Sequence, residues 1–215
     1  MGITGGSVKD VLRGMLKRKD FDAIVELSRT QGSLTRYLLA MTYDRADVIS
    51  WRAIEAIGRV EALNPPDKLR NHLQRLLWML REESGNNSWS AGAVIGEVLF
   101  CRKAERIEDI VPIVISFHDE PMFRVGALWS LYRVGLVRPD LVEEFSQVPV
   151  EYIGDSDPLV RGVAVLAMTG LIRKEYAPHL EAALTDKAEI MGYEGGELSV
   201  TTVSALAGRV LRMIA

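Results

Sequence analysis

The chain has 215 residues, of which 48% are hydrophobic and 26% charged, with a formal net charge of −3. That balance suits a folded soluble chain and argues against disorder over most of its length. The mild acidity weighs against a nucleic-acid binder, which usually presents a net basic face. Cys101 is the single cysteine, so neither an intramolecular disulfide nor a cysteine-based zinc cluster can form. No apolar run approaches the roughly 18 residues that a membrane span needs.

In chain order, the opening "MGITGGSVKD" lacks the apolar core of a signal peptide. Gly6 stands where a myristoylation motif places Ser or Thr. Residues 1–6 are expected to be a flexible tail, and the protein is expected to be cytoplasmic. Residues 7–215 are expected to form one domain. In "SVKDVLRGMLK", Val8, Val11, Leu12, Met15 and Leu16 share one helical stripe, with Ser7 as a candidate N-cap. "FDAIVELSRT" and "SLTRYLLAMTYD" read as two short helices, and residues 7–43 together as an N-terminal cap. "DVISWRAIEAIGRVEAL" is a longer helix. After "NPP", Leu69, Leu73, Leu76, Leu77 and Leu80 again follow the 3.6-residue period. "ERIEDIVPIVISFHDE" is β-branched between Val111 and Phe117, but helical segments flank it and no partner strand is in view. It reads as a helix with Pro112 early in it or kinking it. Pro121, Pro139, Pro158 and Pro178 each precede an apolar-periodic segment, where proline starts helices. "EGGE" (194–197) reads as a turn before the last helix.

Five of these segments align: "SWRAIEAIGRV", "SWSAGAVIGEV", "RVGALWSLYRV", "RGVAVLAMTGL" and "VTTVSALAGRV". Ala53, Ala91, Ala127, Ala164 and Val203 fall in register at intervals of 38, 36, 37 and 39 residues. A period in the high thirties with two helices per unit predicts a helical solenoid. Small residues at that depth permit close helix approach, and Gly58, Gly96 and Gly208 are expected to relieve crowding similarly. The predicted architecture is an all-α, right-handed α-α superhelix of about five helical repeats.

"DSDPLVRGVAVLAMTGL" resembles the HEAT repeat of the phycocyanobilin-lyase type: an Asp turn, Pro opening the second helix, then Val-Arg and a small-residue helix. "HDEPMFRVGALWSLYRVGL" matches more loosely, and "YAPHLEAALTD" is similar to that family's first helix. "WRAIEAIG" with "RLLWMLREESGNNSWSAGAVIGEV" resembles a subgroup of small bacterial HEAT-like proteins. The chain departs from the subgroup pattern at Gly92 and Ala93, where Pro and Glu are expected. The resemblance covers about residues 35–215 and implies a solenoid fold.

Sites of chemistry are scarce. His72, His118 and His179 lie far apart without ligand spacing. In "FHDEP", His118, Asp119 and Glu120 read as an inter-helix turn in which the acids cap the following helix, rather than as a metal or acid–base site. Cys101 reads as a buried structural thiol. No nucleophile elbow or phosphate-binding glycine pattern occurs. The basic run "LKRKD" (16–20) reads as a solvated helix end. No catalytic residue, cofactor site or metal site is expected. "REESGNN" (81–87) is a longer, more polar linker, in which Glu82 and Glu83 oppose the helix dipole.

The second helices carry the sharper features. Trp51 and Trp89 occupy the same repeat position, and Trp129 lies two residues past Ala127. Arg59, Glu97, Arg133 and Arg209 share one aligned row, interrupted by Leu171. Second helices line the concave face of such solenoids. The candidate binding residues are Trp51, Arg52, Glu55, Arg59, Trp89, Glu97, Trp129 and Arg133. They either anchor a partner in a groove or fill space between units and pair with one another. The favoured function is a non-enzymatic scaffold that binds a protein partner on the concave face. The alternatives are a HEAT-like nucleic-acid-binding or base-excision protein, and a bilin-lyase-like chaperone.

Overall fold

The computed structural model describes residues 5–32, 34–81 and 89–214. The chain opens with α1 (Gly5–Lys17) and α2 (Phe21–Thr30). Gly5 and Gly6 are thus helical, and residues 1–4 lie outside the described residues. Val8, Leu12 and Leu16 are fully buried, as the apolar stripe predicts. Ser7 lies inside α1 rather than at its cap. Lys19 at φ 57° ends the first helix, and the Asp20 carboxylate accepts from the Ala23 amide to start the second.

Five helix pairs follow: α3 (Leu34–Leu39) with α4 (Val48–Glu61), α5 (Pro66–Met79) with α6 (Trp89–Arg102), α7 (Ile110–Ile115) with α8 (Arg124–Gly135), α9 (Val148–Tyr152) with α10 (Pro158–Gly170), and α11 (Ala177–Ala183) with α12 (Val203–Ile214). The second helices stack in sequence, α4 on α6 on α8 on α10 on α12, while α1, α2 and α3 pack on α4. Such stacking is what a repeat buries in place of a single closed core. Ala53, Ala91, Ala127, Ala164 and Val203 all sit at the buried helix crossings. At Gly58 an added Cβ would lie 2.7 Å from the Glu97 Cβ, and at Gly96 2.7 Å from the Ser130 Cα. Gly92 faces Gly126, and Gly135 faces Gly170, at the same kind of contact. Gly208 differs from the expectation: a Cβ there meets nothing nearer than the Leu184 side chain at 3.6 Å.

Of the local signals, Pro158 and Pro178 open helices as expected. Asp47 caps α4 and Asp157 caps α10, with Pro158 at the first helical position. Segment 110–119 is helical, but α7 is short and tightens into a 3₁₀ turn over Ser116–Asp119. The capping role expected of Asp119 and Glu120 is not realised. The carbonyls of this turn, at His118 and Asp119, instead accept from the Arg124 guanidinium at 3.0 and 3.2 Å. Arg124 also reaches Asp155 of the next unit at 2.9 Å. Arg161 repeats the device one unit on: it binds the carbonyls of Asp155 and Ser156 and pairs with Asp186 at 2.6 Å. These two arginines tie successive turns together. Pro121 precedes α8 without entering it, and Pro139 opens only a 3₁₀ turn, Pro139–Leu141. Among the described residues no helix is long and apolar enough to cross a membrane.

One element departs from the sequence reading. "EGGE" is the bend of a β-hairpin, β1 (Glu189–Glu194) with β2 (Glu197–Thr202), inserted between α11 and α12. Gly195 and Gly196 at φ 59° and 79° make a tight turn that residues with a Cβ rarely adopt. β2 alternates polar and apolar residues from Glu197 to Thr201 while β1 does not, and Ile190 is their only buried hydrophobic residue. The class stays all-α with this small sheet added.

Candidate functional site: the aromatic floor beneath the hairpin

Three indoles from three successive second helices converge. Trp51 of α4 contacts Trp89 of α6 at 5.6 Å and Trp129 of α8 at 4.9 Å between ring centroids, both tilted near 60°. They are 2%, 4% and 3% exposed. Each indole N–H has an acceptor: the Arg45 carbonyl at 2.9 Å for Trp51, the Tyr43 carbonyl at 3.0 Å for Trp89, and the Glu97 carboxylate at 2.9 Å for Trp129. Buried indoles need such partners. The Arg45 guanidinium lies 5.1 Å over Trp89, and burial lowers its pKa from the ordinary value.

Glu97 is 2% exposed. Its other neighbour is Arg133, with Nη2 donating at 3.1 Å. Nε lies 2.8 Å from the second oxygen as an ion contact that lacks hydrogen-bond alignment. The guanidinium also stacks 3.5 Å from the Phe100 ring centroid. Burial pushes the Glu97 carboxyl above the usual range, opposed by Arg133 and by the indole hydrogen bond. Cys101 sits nearby, where burial and then Glu97 push its thiol up to about 12. It therefore has the character of an inert thiol.

The hairpin closes over this floor. Its root lies against α10, where Ile190 meets Gly162, and its tip reaches the first helices. Tyr193 stacks on Trp51 at 5.6 Å and 19° and lies 6.4 Å from Trp129. Its hydroxyl donates to Glu55 at 2.5 Å, and Glu55 also pairs with Arg59 at 2.6 Å. Burial and the Glu55 charge both raise the Tyr193 pKa. Arg52 is buried on α4. It donates to the Gly196 carbonyl at 2.6 Å and to Glu197 at 2.9 Å. It also donates to the Leu16 and Lys17 carbonyls at 3.1 Å, satisfying the open end of α1. Lys19 pairs with Glu197, so the basic run at 16–20 serves the hairpin tip as well as the helix end.

The eight residues singled out from sequence therefore gather under or beside the hairpin. Trp51, Trp89, Trp129, Arg52 and Glu97 are buried, and Glu55 and Arg133 are largely covered. Every member of the charged row is paired, and Arg59 and Arg209 are also partly exposed. Arg59 pairs with Glu55 along its own helix, Glu97 with Arg133 across units, and Arg209 with Glu194 of β1 at 2.7 Å. Sequence reasoning missed Tyr193, Gly196 and Glu197. The Gly-Gly pair between two acidic residues carried the signal, since Gly-Gly between short strands marks a hairpin.

The other candidates are dispersed. His72 bonds the buried Glu61 at 2.7 Å, His118 the Tyr152 hydroxyl at 3.0 Å, and His179 is exposed. No group of three His, Cys, Asp or Glu side chains that could hold a metal occurs among the described residues. Glu82, Glu83, Asn86 and Asn87 of the polar linker lie outside the described residues.

No protein-family model matches the chain, and no curated protein matches it. Among solved structures it is similar to a designed armadillo repeat protein, YIII(Dq)4CqI, with a TM-score of 0.57 and 16% identity. The match covers 100% of this chain and 96% of the designed one. At that identity the likeness shows the fold, an armadillo-like all-α repeat solenoid.

Proposed function

We propose that the chain is a non-enzymatic protein-binding solenoid that holds an extended segment of a partner against α4, α6 and α8. The observation that carries this reading is that α4 and α8 already hold such a segment, the chain's own hairpin. Its backbone is gripped at the Gly196 carbonyl by Arg52, and its Tyr193 ring rests on the indoles. A main-chain grip plus an aromatic anchor is the usual way a rigid surface takes an extended peptide. Armadillo-like repeats commonly serve protein binding, which agrees. A base-excision reading draws less support. It needs a basic groove and an available carboxylate, whereas Glu55 and Glu97 are each already paired with an arginine.

Selection of a displayed random-peptide library on the immobilised full-length chain tests the reading. The expected result is a recurring sequence whose binding weakens at least tenfold in Arg52→Lys. Failure to enrich any recurring sequence would overturn it.

A further inference from the structure

The two ends of the hairpin are held by different physics. At the root, Ile190 is buried against Gly162 of α10. The Val203 and Ser204 amides donate to the Ala188 and Asp186 carbonyls at 3.2 and 2.9 Å, and Arg161 holds the Asp186 carboxylate. Beyond the root little apolar surface is buried. Glu194, Ser199 and Glu197 are exposed, Val200 is 62% exposed, and Tyr193 and Leu198 are only half-buried. Only two strands make the sheet, and a lone two-stranded ribbon is marginal in water. Segments with few buried apolar contacts open first, without global unfolding. The tip is the part that can leave while the root stays.

What the tip would uncover has defined chemistry. Arg52 keeps one nitrogen on the Leu16 and Lys17 carbonyls, which holds the guanidinium in place, and presents its other two to an incoming carbonyl and carboxylate. Lys19 adds a second cation at the same end. Trp51 and Trp129 offer ring faces. Glu55, oriented by Arg59, accepts a hydroxyl proton.

Resting on the protein-binding reading above, we propose that the hairpin tip is a displaceable self-ligand. In its place the site takes a partner segment with a phenol ring and, four residues on across a tight turn, a carboxylate. The tip itself, Tyr193 to Glu197, is the template for that pattern. The cationic end selects acidic segments over basic ones, and the Glu55 carboxylate prefers a phenol to a plain phenyl ring.

The test uses a fluorescent synthetic peptide of residues 187–204, titrated into the full-length chain and into the Tyr193→Ala/Glu197→Ala variant. The variant is expected to bind at least tenfold tighter than the unaltered chain. Adding Arg52→Lys, or replacing the peptide's tyrosine by alanine, is expected to remove that gain. Equal affinity for the two proteins overturns the inference. Should the variant not fold, hydrogen exchange on the unaltered chain decides. Amides of residues 191–200 that exchange at least a hundredfold faster than those of α6 and α8 support displacement, and exchange in step with α8 overturns it. Library-selected peptides that bind the unaltered chain and a folded variant equally well also overturn it, and leave the protein-binding reading standing.

Discussion

The Tyr193 ring lies nearly parallel to the Trp51 indole, 5.6 Å away, and so joins the last helix pair of the solenoid to the first. In a simple solenoid each repeat touches only its neighbours. Here a strap from beyond α11 contacts α4, and Arg52 and Lys19 hold its tip at the amino-terminal end. The indoles beneath it are both the floor of the candidate site and part of the packed interior.

Trp51→Ala and Trp89→Ala are therefore expected to destabilise the fold by about 3–5 kcal/mol each, the range for deleting a buried aromatic side chain. Their binding defects will not separate contact from folding. Urea titration followed by circular dichroism checks this, and midpoints unchanged in both variants would mean the indoles are not packed.

Glycines at the close helix crossings and away from them are expected to behave in opposite ways. Gly58→Ala and Gly96→Ala place a Cβ 2.7 Å from the next helix, so both should destabilise by about 1–3 kcal/mol despite alanine's better helix propensity. Gly208→Ala meets no close contact and should stabilise by about 0.5–1 kcal/mol. Thermal melts of the three variants give the comparison.

Glu97 answers to charge. Glu97→Ala strips the partner from Arg133 and the acceptor from the Trp129 indole, at an expected cost of about 3–5 kcal/mol. The pH dependence is sharper in Arg133→Met, which removes the group that holds the raised carboxyl down. The folded state then keeps its proton to higher pH than the unfolded state, whose carboxyl titrates near 4.5. Stability of this variant relative to the unaltered chain should be highest at acid pH and fall as pH rises above that value. Urea midpoints at pH 5 and pH 8 read the sign.

The strap is expected to loosen in acid. Lys19 first, and then Arg52, hold the Glu197 carboxyl below its ordinary 4.5. The tip contact is thus complete above pH 4.5 and is lost as pH falls through the depressed value. Trp fluorescence should shift in acid before far-ultraviolet ellipticity falls, and Glu197→Gln should abolish that early phase.

Much of the architecture was legible in the chain. The spacing from Ala53 to Val203 set five stacked second helices, because each unit repeats the same close approach. Pro158 started a helix where local chemistry favours it. The convergence of Trp51 and Trp89 followed from their shared repeat position, since neighbouring units stack at helix-packing distance.

Tertiary structure alone decided what covers these residues. Of the two strands only β2 alternates, over the five residues Glu197 to Thr201, and β1 does not, so that short signal passed unmarked among the helices. Its position depends on partners more than a hundred residues away: Arg52 on Gly196, Glu55 on Tyr193, Trp51 beneath the ring. The same holds for Glu97. Its row in the repeat left open whether it faces a groove or pairs across units, and only the packing encloses it against Arg133 beside Trp129. Helix periodicity records which side of a helix is apolar, while the closing of one end of the chain over the other is a long-range choice made by packing.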